Sequence, residues 1–146
     1  MDSNKNKIED ENKKVSPKTE SIIEQKIEIK EELTEETLNQ LKEFVKKDNA
    51  GLLVLKGTNI GEIFAINKDY FNIGREIDSD IFLDDITVSR KHASIIKADK
   101  YFKIVDMGSL NGVYVNGKII EEKYLENGDK IQIGKYLFYF FCLNNE

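Results

Sequence analysis

From Gly51 onward the apolar residues of this chain come in short runs, each about five residues long, set apart by Gly and Asn. Several runs alternate with polar residues: Tyr101, Lys103 and Val105 take one face, Phe102, Ile104 and Asp106 the other. This period of two predicts β-strands over residues 52–55, 62–66, 70–73, 80–83, 92–97, 101–106, 113–115, 118–120, 130–133 and 136–143. Asn116-Gly117 between two apolar runs predicts a two-residue hairpin, because both central positions of a type I′ turn need positive φ. Asn127-Gly128 is a second turn of similar chemistry. With no amphipathic helix between the runs, about a hundred residues are expected to form an all-β sandwich or barrel of antiparallel strands.

Before Gly51 the period changes. Leu38, Leu41 and Val45 recur on one helical face, Thr34 is a suitable N-cap, and Glu35 and Glu36 place negative charge in the first turn. Leu33 and Leu38 have the spacing of a hydrophobic staple, and Lys46 and Lys47 fall in the last turn. A short amphipathic helix is predicted over 35–47, and it needs a partner because an isolated helix of this length is marginal in water. Between 21 and 33, Ile22, Ile23 and Ile27 suit a helical face, whereas Ile27 and Ile29 alternate as in a strand. Residues 1–21 have almost nothing to bury and cannot offset their ordering entropy. The expected organisation is a largely disordered charged tail over 1–33, a helix and linker over 34–49, and the β domain over 50–146.

Composition sharpens that division: all fourteen aromatic residues lie at or beyond Phe44. The net charge of −5 argues against a nucleic-acid binder, which would carry a basic stripe. No run is long enough to span a bilayer, the longest being 136–143, and the amino terminus lacks a signal-peptide core, so no membrane insertion and a cytoplasmic location are expected. The single cysteine, Cys142, cannot form an intramolecular disulfide, and its apolar surroundings favour a buried small hydrophobe over a reactive thiol.

Residues 71–112 concentrate the candidate chemistry. They hold the only two arginines, Arg75 and Arg90, and the only histidine, His92, while lysine supplies the other twenty cationic side chains. A guanidinium offers a planar fork of donors that grips a phosphate or carboxylate edge in two places, which an ammonium cannot do. With Ser89 and Asn111 on turn-rich stretches and no nucleophile beside a base, the constellation suits an anion receptor and not a catalyst. One histidine and one cysteine build neither a triad nor a metal site, so no enzyme, cofactor or metal is expected. Asp78, Asp80, Asp84 and Asp85 cluster, yet they lack the glycine and closing glutamate of a calcium loop and read as solvated turn acids.

Four motifs occur in order: Gly74-Arg75; Ser89-Arg90-Lys91-His92; the stretch from Ser109 through Asn111 and Gly112 to Asn116-Gly117; and Leu125 through Asn127-Gly128-Asp129 to Gly134. Together they resemble the forkhead-associated (FHA) domain, over residues 50 to 143. The resemblance implies a two-sheet antiparallel β-sandwich whose apical loops bind phosphothreonine peptides. It implies that Arg75 and Ser89 contact the phosphate, that Gly74 lets the loop fold beneath Arg75, and that Arg90 adds a second charged contact or shapes the loop. His92 would tie the serine loop to its neighbours, and Asn111, followed by Gly112, would bond the peptide backbone. The residue before this asparagine is often a threonine or serine in the family, and here it is Leu110, leaving Ser109 to take its place or the contact missing.

The resemblance also implies a Ser/Thr kinase that makes the ligand, a phosphatase that removes it, and a signalling role for the domain. Small bacterial members carry a tail threonine that, once phosphorylated, occupies the protein's own binding face. Here the tail threonines are Thr19, Thr34 and Thr37, without the adjacent pair typical of such tails. The alternative is a phosphate-independent adaptor that assembles a larger complex through the same fold and the N-terminal helix.

Overall fold

A computed structural model describes residues 34–46 and 50–143. The expectations for the tail over 1–33, including Thr19 and the ambiguous stretch 21–33, lie outside the described residues. The chain divides between Gln40 and Leu41 into two units. The first contains the start of helix α1 (Glu35–Val45). Thr34 caps it: its hydroxyl oxygen accepts the amide of Thr37 at 3.2 Å, its carbonyl accepts the amide of Leu38 at 3.0 Å, and Glu35 and Glu36 occupy the first turn.

Among its described residues the second unit holds the end of α1 and eleven strands: β1 (Ala50–Lys56), β2 (Ile63–Ala65), β3 (Tyr70–Gly74), β4 (Ile81–Phe82), β5 (Ala93–Ala98), β6 (Tyr101–Asp106), β7 (Val113–Val115), β8 (Lys118–Ile120), β9 (Glu122–Tyr124), β10 (Lys130–Ile133) and β11 (Tyr136–Cys142). They form a five-stranded sheet in the order β9-β6-β5-β3-β4 and a six-stranded sheet in the order β2-β1-β11-β10-β7-β8. All pairings are antiparallel except β3 with β4, where Ile73 lies opposite Ile81. The β7–β8 hairpin turns through Asn116 (φ 53°) and Gly117 (φ 85°), the left-handed pair that a two-residue loop requires.

The inward faces meet in one core. Phe71, Ile73, Ile95, Phe102 and Ile104 of the first sheet pack with Leu52, Val54, Val115, Ile131, Ile133, Phe138 and Phe140 of the second. Phe102 and Phe140 meet edge to face, with centroids 5.7 Å apart, across the two sheets. The centre of the second sheet is also covered on its outer side, which is why β1 is apolar on both faces: Leu53, Leu55 and Phe141 are buried outside the main core. A Cβ on Gly51 would meet Val45 Cγ1 at 2.5 Å, so the last turn of α1 lies directly on β1. The partner that the helix's apolar face requires is therefore this outer face, reached by Leu41 and Val45, both buried.

Phe138 is fully buried in the central strand pair, so Phe138→Ala should cost about 3–5 kcal/mol of unfolding free energy. Ile60→Ser, in an exposed turn, should change it by less than about 0.5 kcal/mol. Urea unfolding of the two variants beside the wild type tests the placement of the core.

Candidate functional site

At one end of the sandwich three loops converge: β3–β4, β4–β5 and β6–β7. The first two are joined by their main chains. Arg75 N–H donates to Ser89 O at 3.0 Å, Glu76 N–H to Arg90 O at 3.2 Å, and His92 N–H to Ile73 O at 3.1 Å, so the β4–β5 loop continues the sheet pairing past the end of β3. Gly74 is what permits it: a Cβ there would stand 2.1 Å from Arg90 O. Arg75 Nε donates to Val88 O at 2.9 Å, which fixes the guanidinium and leaves its terminal nitrogens without partners among the described residues. Arg90 is more loosely held, its exposed Nη2 lying 3.5 Å from Glu76 Oε2. Both arginines, with Glu76, Ile77 and Asp78, line a groove of about 450 Å³.

His92 fastens the third loop. It is completely buried, its Nδ1 accepts Ser89 N–H at 3.0 Å, and its Nε2 lies 2.8 Å from Gly112 O. Because Nδ1 must accept, the ring proton belongs on Nε2, which donates to the Gly112 carbonyl. One neutral imidazole thus bridges the loop bearing Ser89 to the loop bearing Asn111. Ser89 Oγ reinforces the bridge by accepting Leu110 N–H at 2.9 Å. Asn111 Nδ2 donates to Thr87 O at 3.0 Å, a third tie between the same loops.

The structure therefore brings Arg75, Ser89, Arg90, Ser109 and Asn111 to one end of the fold, around Gly74, His92 and Gly112. Within that set, Ser109 is engaged in shaping its loop, its amide donating to Asp106 Oδ1 at 2.8 Å and its Oγ accepting Gly112 N–H at 2.9 Å. Position 110 contributes through its main chain, so a leucine there leaves the loop geometry intact; its side chain is 88% exposed. Thr34 and Thr37 bond to each other at 3.2 Å at the head of α1 and belong to the other unit.

The acidic cluster does not behave as four solvated turn acids. Asp80 accepts Asn72 N–H at 2.8 Å and pairs with Lys68 at 2.7 Å; burial pushes its carboxyl up, but these contacts outweigh it and the net shift is downward. Asp85 accepts both the hydroxyl and the amide of Thr87 and pairs with Lys135 at 3.0 Å, which holds its carboxyl at about 2. With Asp80 and Asp85 turned to separate partners, no three His, Cys, Asp or Glu side chains among the described residues could hold a metal ion together. Thr87, Val88 and Lys135 escaped the sequence analysis, and Asp85 reads there only as a solvated turn acid. Two of them act through carbonyl oxygens, which every residue carries.

The FHA domain family model matches residues 71–134. The glycogen accumulation regulator GarA of Mycobacterium tuberculosis is 47% identical over 92 residues, covering 63% of this chain and 57% of the relative. The chain thus spans little more than half the length of that relative. The oxoglutarate dehydrogenase inhibitor of Corynebacterium jeikeium is 45% identical over 98 residues, covering 67% of this chain and 68% of the relative. An FHA structure solved in a study of phosphothreonine-dependent FHA domain interactions superposes with a TM-score of 0.59 at 27% identity, covering 64% of this chain and 95% of that one. No helix among the described residues is long and apolar enough to cross a membrane.

Two outcomes test this geometry. Gly74→Ala should cost about 1–3 kcal/mol of stability, since the methyl group drives the β4–β5 loop off β3, and thermal unfolding reads it directly. The folded-state Asp85 carboxyl lies below its unfolded value of 3.8, so its contribution is complete above about pH 4 and is lost as pH falls through about 2. The stability difference between wild type and Asp85→Asn should accordingly shrink between pH 4 and pH 2 in a urea-unfolding series.

Proposed function

The chain belongs to the forkhead-associated domain family, and from that premise we propose that it is a non-enzymatic, cytoplasmic receptor for a phosphothreonine-bearing segment of a partner protein. The observation that carries the proposal is the convergence of a fixed guanidinium, a second, exposed one and a serine hydroxyl on two loops joined by their main chains, with one buried imidazole tying them to the loop of Asn111. None of these groups stands beside a nucleophile–base pair, and His92 spends both ring nitrogens on main-chain bonds. A phosphothreonine brings close to two negative charges and three strong acceptor oxygens, which suit forks that only donate. Asn111 retains its carboxamide oxygen and one N–H for the main chain of an extended ligand.

The relatives support a regulatory setting, since one is named a glycogen accumulation regulator and another an oxoglutarate dehydrogenase inhibitor. In that setting the receptor governs a metabolic enzyme and answers to a Ser/Thr kinase and its opposing phosphatase. A phosphorylated threonine on the chain's own amino-terminal segment would be a ligand supplied at high effective concentration and would compete with any partner. Thr34 suits this role least, because its hydroxyl caps α1.

Binding of a degenerate phosphothreonine peptide library, with an unphosphorylated control, tests the proposal. The wild type should bind only phosphorylated peptides, and Arg75→Ala should weaken binding roughly 10- to 150-fold, the cost of about 1.5–3 kcal/mol for a hydrogen bond to a charged group. Retention of a native partner by Arg75→Ala would favour the phosphate-independent adaptor instead.

A further inference from the structure

We propose that Thr87 is a positioning residue for Asn111, and that it is itself held by a clamp reaching across from the other sheet; this rests on the receptor function proposed above. An exposed asparagine is a poor reader of a peptide main chain if its carboxamide turns freely, because its terminal torsion is broad and nearly two-fold. Here Nδ2 is anchored on Thr87 O at 3.0 Å, which decides which end of the amide faces the loop and which remains for a ligand. The accuracy of that reading is then no better than the accuracy with which Thr87 O is placed.

Thr87 is placed by three contacts of its own. Its amide donates to Asp85 Oδ2 at 2.9 Å, its hydroxyl donates to the same oxygen, and that hydroxyl accepts Lys135 N–H at 3.0 Å. The Lys135 ammonium closes the ring on Asp85 Oδ1 at 3.0 Å. Gly134 and Lys135 form the β10–β11 turn of the six-stranded sheet, whereas Thr87 sits on a loop joining strands of the five-stranded sheet. The two meet so closely that a Cβ on Gly134, already at φ +58°, would stand 2.4 Å from Thr87 Oγ1. The closing glycine of the last sequence motif is therefore needed apart from any ligand contact, to let the turn seat against Thr87. The Thr87 hydroxyl spends its proton and a lone pair inside this clamp, so its effect on a ligand passes through Asn111.

The test separates reading of the peptide from capture of the anion. Thr87→Val keeps the side chain's shape and removes the hydroxyl, and it should lower affinity for a library-selected phosphothreonine peptide about fivefold, the effect of one lost hydrogen bond. Binding of inorganic phosphate, followed by NMR titration, should not change, because Arg75, Ser89 and Arg90 are untouched. Thr87→Ser should restore peptide affinity, and Thr87→Val should add nothing to Asn111→Ala in a double-mutant cycle. Wild-type peptide affinity in a folded Thr87→Val, additivity with Asn111→Ala, or an equal loss of phosphate binding would overturn the proposal. Should Thr87→Val fail to fold, Asp85→Ala removes the acceptor that orients Thr87 and must show the same split between peptide and phosphate. A wild type that takes phosphate but no phosphopeptide would overturn the receptor function itself.

Discussion

The candidate site depends on one buried imidazole. His92 receives the Ser89 amide on one ring nitrogen and gives its proton to the Gly112 carbonyl from the other, and among the described residues no other buried side chain links the β4–β5 and β6–β7 loops. Main-chain polar groups buried without partners are costly, so removing the ring leaves a donor and an acceptor stranded together. The bonds from Leu110 to Ser89 and from Asn111 to Thr87 lie at the surface, where water competes for them. They refine an arrangement that the histidine makes possible.

Much of the fold was legible because its signals are local. Period-two alternation located ten of the strands, and the Asn116-Gly117 hairpin follows from the left-handed conformations that few other residue pairs adopt. Strand β9, Glu122–Tyr124, gave no such signal: it is a short, charged edge strand, and Lys123 reaches Asp129 instead of filling the core. The predicted strand over 80–83 shortens to Ile81–Phe82 because the Asp80 carboxylate turns to the Asn72 amide and Lys68. The parallel pairing of β3 and β4 was out of reach, since composition carries no record of strand direction.

The site divides along the same line. Scarcity of arginine pointed to Arg75 and Arg90, and the family resemblance implied a structural task for the lone histidine, whose two ring nitrogens bond main-chain groups of two loops. What holds these residues in place is largely main chain: the carbonyls of Thr87, Val88 and Arg90 and the amide of Leu110. Such groups are the same in every residue, so the sequence marks them only indirectly, through the glycines that make room for them.

The bond from Leu110 N–H to Ser89 Oγ has a further consequence. With one lone pair of that oxygen already engaged, the serine still offers its proton, and both arginines offer protons alone, so the groups that would face the phosphate are rich in donors. Such a surface fits an anion that brings only lone pairs. A phosphate monoester takes up a proton as pH falls through about 6, which removes one of the negative charges that the two guanidinium groups would face. Part of the acid sensitivity of such a complex would then be written into the charge of the ligand itself.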